Sequence, residues 1–441
     1  MKVGNLSFHF KKLTMKKLIF LFLLAITYDV SSQIIEFPDE QFRKALAHTK
    51  CVDQNGDGIG DFNADLNGDG QIQISEALKV ERLIVPNLEI NKIDGIENFK
   101  NLTYLVCNSN RLKTITLPGL ENLKYLKCDN NQITQLDLKG LTKLQFLYCG
   151  RNSLSNLEVN GLENLIELGC DFNQIESFDA TELKNLKALF CSQNLLSNLN
   201  VVGLSKLRSL YCSNNKLTGL NLDGLADLRI LAINNNRLSF LNVKGMKKLA
   251  YLSCNVNYLT SMDFKGLDSI DFISCNYNLI STLDVSGLNN LTQLSCSYSQ
   301  LTLLNIKGAF NLRALNCNDN KINKLDVSEL EKLSQLYCEN NQLISLDVQK
   351  CKFLSVLDCS KNKLTELDVT GLQYLKILYC SENELKSLLM KTENLITTLA
   401  IKSNPNLAYI CCNENQINEI KNKAVSNGIP NCEVSSYCSF Q

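Results

Sequence analysis

The sequence has no tryptophan, two histidines and only five prolines. The scarcity of histidine bears first on catalysis. His9 lies in a segment expected to be removed, which leaves His48. No Ser/His/Asp or Cys/His arrangement can be assembled from distant parts without a second base. No Gly-rich phosphate loop follows a strand, and no pair of carboxylates singles itself out for work on sugars. An enzyme is therefore not expected. Charge of one sign is missing too: Lys+Arg and Asp+Glu are both 45, a net charge of zero. Nothing in that balance calls for nucleic acid or for a charge-driven partner. After the first thirty or so residues no apolar run is long enough to span a bilayer.

The early apolar run reads as an export signal. Lys16 and Lys17 precede Leu18 to Ile26, and Val30-Ser31-Ser32 supplies small residues for cleavage before Gln33. Residues 1–32 are read as this signal, with Met15 a candidate start. No cysteine follows closely, so lipid attachment is not expected. The mature chain is expected to be exported: secreted, at the cell surface or in the periplasm.

What is abundant is leucine and cysteine, the latter at 19 residues. Cysteine recurs every 21 residues, at Cys107, Cys128, Cys149, Cys170, Cys191 and Cys212, then from Cys254 through Cys275, Cys296, Cys317, Cys338 and Cys359 to Cys380. The gap in this column is Ile233. Asparagine stands three residues after each, from Asn110 and Asn131 to Asn383, with its gap at Ser299. One unit reads Leu123-x-x-Leu126-x-Cys128-x-x-Asn131-x-Ile133-x-x-Leu136-x-Leu138-x-x-Leu141. This resembles the leucine-rich-repeat pattern L-x-x-L-x-L-x-x-N/C-x-L, with cysteine in place of the third leucine. The resemblance covers roughly residues 80–417, about sixteen units. It implies an α/β-type repeat solenoid, predominantly parallel β, shaped as a curved horseshoe or rod with short helical caps. The first unit, Leu83 to Phe99, lacks the asparagine. The last, Ile401 to Ile417, is read as following an eleven-residue insertion near 391–398, with Cys412 and Asn415 restoring the columns.

The spacing carries a physical account of its own. Leu126 and Cys128 are two apart and share one face of a short strand. One unit cannot bury enough surface to offset the entropy of ordering its backbone, so neighbours must share burial and sheet hydrogen bonds. An asparagine amide both donates and accepts, so a stacked column can satisfy backbone groups where the strand turns away. Stacked cysteines have Cα atoms ~4.8 Å apart, inside the disulfide window, but parallel Cβ vectors leave the Cβ atoms too distant for a bridge. Free, buried thiols acting as small hydrophobes are expected, and Ile233 fits the same slot.

The segment 33–79, before the repeats, reads as a cap. Residues 37–47 suit a helix with Pro38 in its first turn and Phe42 over Leu46. Then Asp65-Leu66-Asn67-Gly68-Asp69-Gly70-Gln71-Ile72-Gln73-Ile74-Ser75-Glu76 matches an EF-hand calcium loop. Asp65, Asn67, Asp69 and Glu76 would give side-chain oxygens, Gln71 its carbonyl, and Ile72 would pack inward. Upstream, Asp53, Asn55, Asp57 and Asp61 start the same pattern, but Ala64 stands where the bidentate Glu belongs. This half resembles the acidic calcium repeats of extracellular proteins. Ca2+ is the expected cofactor, since hard oxygens without His or Cys favour it over zinc.

Leader, helix, calcium loop and cysteine-type repeats in this order resemble secreted leucine-rich-repeat proteins of Bacteroidota. In such relatives a further domain and a type IX secretion sorting domain often follow; neither is read here. Residues 418–441 are expected to cap the last unit, with Ile417, Ile420 and Val425 on a helix ending at Gly428. Among Cys411, Cys432 and Cys438 a disulfide is expected, with the pairing open, and Cys51 has no obvious partner. Positions flanking Leu and Cys in each strand should face the concave wall. They include Tyr104, Tyr125, Phe146 and Tyr148, then Phe190 and Tyr211, Tyr251 and Phe272, and Tyr337 and Tyr379. Clustered aromatics suit a partner surface, although Tyr and Phe also favour strands for their own sake. The expected function is protein binding or adhesion on this face, with glycan binding or a plain structural spacer as alternatives. Few Lys or Arg fall on the wall, which disfavours anionic polymers.

Overall fold

The computed structural model describes residues 33–392 and 396–438; the expected export signal lies outside them. The chain divides into two compact units, the first ending at Leu186 and the second beginning at Lys187. Each is a parallel-β solenoid of 21-residue turns, with about 17 turns in the chain. Helices are few, as the leucine-rich-repeat pattern implied.

In the first unit one wall is built from three-residue strands at Arg82–Ile84, Tyr104–Val106, Tyr125–Lys127, Phe146–Tyr148 and Glu167–Gly169. They pair in parallel and in register, Leu105 beside Leu126 and Leu126 beside Leu147. Only the first step is longer, with Leu83 beside Leu105. The middle leucine of each strand is fully buried and its two neighbours face outward, the period-2 alternation of a half-covered sheet. In the second unit a wall of the same kind is built from Ala188–Phe190 to Thr398–Ala400, again all parallel.

The cysteine column is buried throughout. All ladder cysteines are free thiols. Burial pushes the Cys107 and Cys149 thiols up to about 12, which favours the protonated, unreactive form at neutral pH. The asparagine column does what its chemistry allows. Asn131 Nδ2 donates to the carbonyls of Cys128 (3.0 Å) and of Cys107 in the preceding turn (3.1 Å), and its Oδ1 accepts from Leu112 N (3.0 Å). Each amide thus ties two turns together. The first turn needs no asparagine of its own, because Asn110 Nδ2 reaches the Val85 carbonyl at 2.8 Å. Ser299, the gap in the column, does none of this work: its Oγ is buried without any hydrogen-bond partner.

A second periodicity escaped the sequence reading. The residue before each ladder asparagine is left-handed, from Ser109 (φ 57°) through Val256 (φ 56°) and Tyr277 (φ 55°) to Glu382 (φ 56°). L-residues avoid this conformation. Here inter-turn hydrogen bonds hold it, such as Ser109 N to Asp129 O at 2.9 Å. Asn and Gly signal such positions in a sequence; Val, Tyr and Phe do not.

The caps differ in detail from expectation. Helix α1 spans Glu40–His48 rather than 37–47, because Asp39 is its N-cap and accepts from Phe42 N at 2.9 Å. Its other oxygen accepts from Asn91 N and Lys92 N (2.9 and 3.2 Å), fastening the helix to the first turn. Residues 51–53 lie antiparallel against the first wall strand, with Ile84 N donating to Cys51 O at 2.7 Å, and so cover an open sheet edge. At the other end no insertion interrupts the register. Leu399 pairs with Leu378 at the usual step, and Ile401 and Asn404 take the cysteine and asparagine places. Cys412 and Asn415 are outside both columns: the strand Tyr409–Cys411 belongs to the opposite wall, beside Ser387–Leu389. Backbone pairing, not residue identity, sets the register. Helix α2 (Ile417–Ser426) buries Ile420 but leaves Val425 exposed. Of the open disulfide pairings, Cys411–Cys438 forms, with a Cα–Cα distance of 5.3 Å; Cys432 is free, and Cys51 is a buried thiol.

Candidate functional site

Two places gather the residues singled out above: the outward face of the strand wall and the acidic loops beside α1. On the wall of the first unit, Tyr104 and Tyr125 stack with ring centroids 4.2 Å apart. Tyr125 also meets Phe146 (6.0 Å) and Tyr148 (5.6 Å). Parallel in-register pairing forces such columns, because a residue 21 positions later stands directly beside its counterpart. Tyr148 Oη donates to Glu167 (2.9 Å), and burial followed by this carboxylate raises its pKa.

In the second unit the expected aromatics do not form one stripe. Phe190 stacks on Tyr211 (5.1 Å) and Tyr251 on Phe272 (4.6 Å) as separate pairs. Tyr337 and Tyr379 are kept apart by Asp358, which pairs between them. A further pair, Tyr277 and Tyr298, was missed. Their rings stack at 4.4 Å and are about half exposed. They occupy the left-handed position, which no strand-based reading inspects. The wall of the first unit is also richer in cations than expected. The Arg82 guanidinium lies 3.8 Å from the Tyr104 ring centroid and that of Arg151 4.2 Å from Phe172, while Lys127 stands beside Asp129.

A second polar column runs along the wall of the second unit. Ser253 Oγ donates to Asn234 Oδ1 (2.7 Å), Ser274 Oγ to Asn255 Oδ1 (2.8 Å) and Ser295 Oγ to Asn276 Oδ1 (2.8 Å). Two of its steps stand in the sequence as Ser-Cys-Asn triplets, Ser253-Cys254-Asn255 and Ser274-Cys275-Asn276. Only stacking reveals that they cross-link turns and stiffen the face.

The acidic loops are well ordered by their own backbone. In the second loop Asp65 is buried, accepting from Gly68 N (2.8 Å) through Oδ1 and from Gly70 N (2.7 Å) through Oδ2. Gly68 and Gly70 have φ of 77° and 80°, a conformation that glycine alone adopts without cost. Asn67 Oδ1 accepts from Asp69 N and Asp69 Oδ1 from Gln71 N, both at 2.8 Å. The Gln71 N–H and the side chains of Asn67 and Gln73 lower the pKa of Asp69 against a weaker effect of burial. Glu76 closes the loop, accepting from Leu66 N (2.8 Å) and Asn67 N (3.0 Å). Ile72 is buried.

The first loop repeats this geometry by another route. Asp53 accepts from Gly56 N (2.7 Å) and Gly58 N (3.1 Å) as Asp65 does. Asn55 and Asp57 lie exposed, and Asp61 accepts from Gln54 N (2.8 Å) and Asn55 N (3.3 Å). Asp61 therefore does the work that Glu76 does in the second loop. The glutamate is missing at 64 because Ala64 is fully buried, its N–H on Leu46 O of α1. Asp53 also pairs with Arg82 at 2.8 Å. Burial acts to raise its pKa, but the Arg82 hydrogen bond and the loop N–H groups outweigh it and lower it. Among the described residues no group of three or more His, Cys, Asp or Glu is placed to hold a metal ion. The hard-oxygen donor set suits calcium, while its side chains here close on backbone amides.

The wall of 21-residue turns, the buried cysteine column and the asparagine ladder together decide the fold. This is a leucine-rich-repeat solenoid. Among solved structures it is similar to the functional domain of InlJ from Listeria monocytogenes, described as including a cysteine ladder: 26% identity over 83% of this chain and 84% of that one, with a TM-score of 0.61. It is also similar to a leucine-rich-repeat protein of Leptospira interrogans, at 22% identity over 82% and 97% of the two chains and a TM-score of 0.62. The effector YopM of Yersinia pestis matches at 24% identity over 75% and 91%, with a TM-score of 0.53. No family model and no curated protein matches the sequence. Among the described residues no helix is long and apolar enough to cross a membrane.

Proposed function

We propose that this leucine-rich-repeat chain is an exported binding module that holds a protein partner on the outward face of its strand wall. The observation that carries the reading is the half-exposed, stacked ring pairs on the wall of each unit: Tyr104 on Tyr125 in the first, and Phe190 on Tyr211 and Tyr251 on Phe272 in the second. Stacking holds these rings in place before a partner arrives, so little side-chain entropy remains to be lost on binding. Rigid aromatics on a fixed scaffold are the usual anchors of protein interfaces. The hydroxyl–amide column of the second unit supports the same reading by stiffening the face between them. A carbohydrate partner is the second reading, favoured by aromatic faces beside polar side chains. Pull-down from the organism's surroundings with the mature chain tests the proposal. Replacing Tyr104, Tyr125 and Tyr148 by Ser should abolish capture of one protein partner; capture that survives, along with survival when Tyr251 and Phe272 are replaced, refutes the wall as the site.

We further propose that calcium stabilises the N-terminal cap. Asp65, Asn67, Asp69, Glu76 and the Gln71 carbonyl would hold one ion, and Asp53, Asn55, Asp57 and Asp61 a weaker second. The support is a loop backbone already bent at Gly68 and Gly70 around a buried aspartate. Calorimetric titration of the mature chain should show heat that Asp65→Ala and Glu76→Ala remove; no heat and no shift in melting temperature with calcium would sink the idea.

A further inference from the structure

The wall of the first unit contains a cavity of about 490 Å³, within the range of small-ligand pockets. Two glycines make it. Gly150 stands in one column between Asp129 and Asp171, and Gly169 stands in the next column beside Tyr148. A Cβ on Gly150 would come within 3.0 Å of the Asp171 carbonyl oxygen, and one on Gly169 within 3.1 Å of Tyr148 Cδ1. Any larger side chain would fill the space. Tyr125, Tyr148 and Phe172 form its aromatic sides, and Lys127 and Arg151 bring two cations.

Asp129 lines this cavity, and one of its oxygens lacks what nearly every other buried polar side chain has. Asp129 Oδ1 is buried and has no hydrogen-bond partner. Leaving such an acceptor unmet is costly. Burial raises the pKa of Asp129, with the charge of Lys127 pulling the other way. The acceptor calls for a donor from outside.

The mixture of charges selects that donor. A cationic ligand would meet Lys127 and Arg151, and an anionic one would meet Asp129 and Asp171. A neutral polyhydroxyl satisfies both signs: one hydroxyl donates to Asp129, its neighbour accepts from a cation, and the C–H face of the ring lies on an aromatic side. We infer that this cavity is a subsite for a neutral sugar ring. The inference deepens the second, carbohydrate reading by giving it a subsite and a ligand class, and it does not depend on the protein-binding one, since a free glycan or a glycan carried by a protein would serve equally.

The test uses the full mature chain and methyl glycosides of glucose, galactose, mannose, N-acetylglucosamine and N-acetylgalactosamine, with glucosamine and glucuronic acid as charged comparators. Saturation-transfer NMR reads weak binding, and tyrosine fluorescence is available because the chain has 14 tyrosines and no tryptophan. At least one neutral glycoside should bind, and more tightly than either comparator. Asp129→Ala should weaken it by about tenfold or more, the loss expected for a hydrogen bond to a charged group. Tyr148→Ala should weaken it as well, at an unchanged melting temperature. Should Tyr148→Ala unfold, Asp129→Ala decides alone, since the hydrogen bonds that Asp129 gives the fold are to its backbone carbonyl, which alanine keeps. Absence of neutral binding, preference for a charged comparator, or binding untouched by Asp129→Ala would overturn the inference.

Discussion

Ser299 interrupts a ladder that is otherwise complete from Asn110 to Asn404, and restoring asparagine there should stabilise the second unit. In the preceding turn Asn278 Nδ2 donates to Cys275 O (2.9 Å) and Cys254 O (3.1 Å), and its Oδ1 accepts from Leu259 N (3.1 Å). The backbone at 299 is already prepared, since Tyr298 has φ 52° against 55° for Tyr277. Asparagine at 299 would meet the carbonyls of Cys296 and Cys275 and the N–H of Ile280. Three hydrogen bonds at ~0.5–1.5 kcal/mol each amount to roughly 1.5–4.5 kcal/mol. Ordering the longer side chain costs about 1 kcal/mol, so the net gain is about 0.5–3.5 kcal/mol. In a quasi-one-dimensional array this gain is felt mainly by the turn and its neighbours. Hydrogen exchange read by mass spectrometry over residues 275–301 should therefore slow by about 2- to 300-fold in Ser299→Asn. Asn278→Ser should speed exchange of its own turn by a similar factor. Equal exchange in Ser299→Asn and the parent chain would refute the view that the ladder amide is a net contributor to stability.

Other expectations follow from single residues. Val256→Gly should raise the melting temperature, because a β-branched residue is held at φ 56° and relief is worth about 1–2 kcal/mol; a fall would show that the Val256 side chain, not its backbone, matters. Under native conditions a thiol reagent should leave the ladder cysteines unmodified and reach Cys432 first, all reacting after denaturation; rapid native labelling of Cys254 or Cys275 would contradict their burial. Burial works against ionisation of Asp39, but the hydrogen bonds from Phe42, Asn91 and Lys92 outweigh it and hold its pKa below the usual value. Its contribution is thus complete above about pH 4 and is lost as pH falls through the depressed value. Asp39→Ala should cost about 1–2 kcal/mol near neutrality and flatten the acid limb of a pH-dependent melt; an unchanged limb would refute the assignment.

The repeat was legible because its evidence is one-dimensional. A column such as Cys107, Cys128 and Cys149 can be read only as side chains stacked at one place in successive turns, and the ladder bonds of Asn131 follow from the two-sided chemistry of an amide. The same habit misled at the end. Cys412 and Asn415 look like column members by identity, yet Ile401 and Asn404 hold the places, because a buried slot accepts any apolar side chain of the right size. The helix start at Glu40 was missed for a related reason: Pro38 is a familiar first-turn residue, but the Asp39 carboxylate sets the boundary by capping Phe42 N.

The candidate sites were legible only in part. Composition and spacing marked the aromatics and the acidic loops. They could not show that Tyr337 and Tyr379 are separated by Asp358, that Tyr277 and Tyr298 stack on left-handed backbone, or that Asp61 takes the place of Glu76.

By itself the sequence determined the period, the inward side chains and the ladders, since each is a local preference repeated until cooperation between turns makes it decisive. Tertiary structure alone decided which outward residues meet. Outward positions are not constrained by burial, so the empty space over Gly150 and Gly169, and the unmet oxygen of Asp129 beneath it, exist only once neighbouring turns are laid side by side.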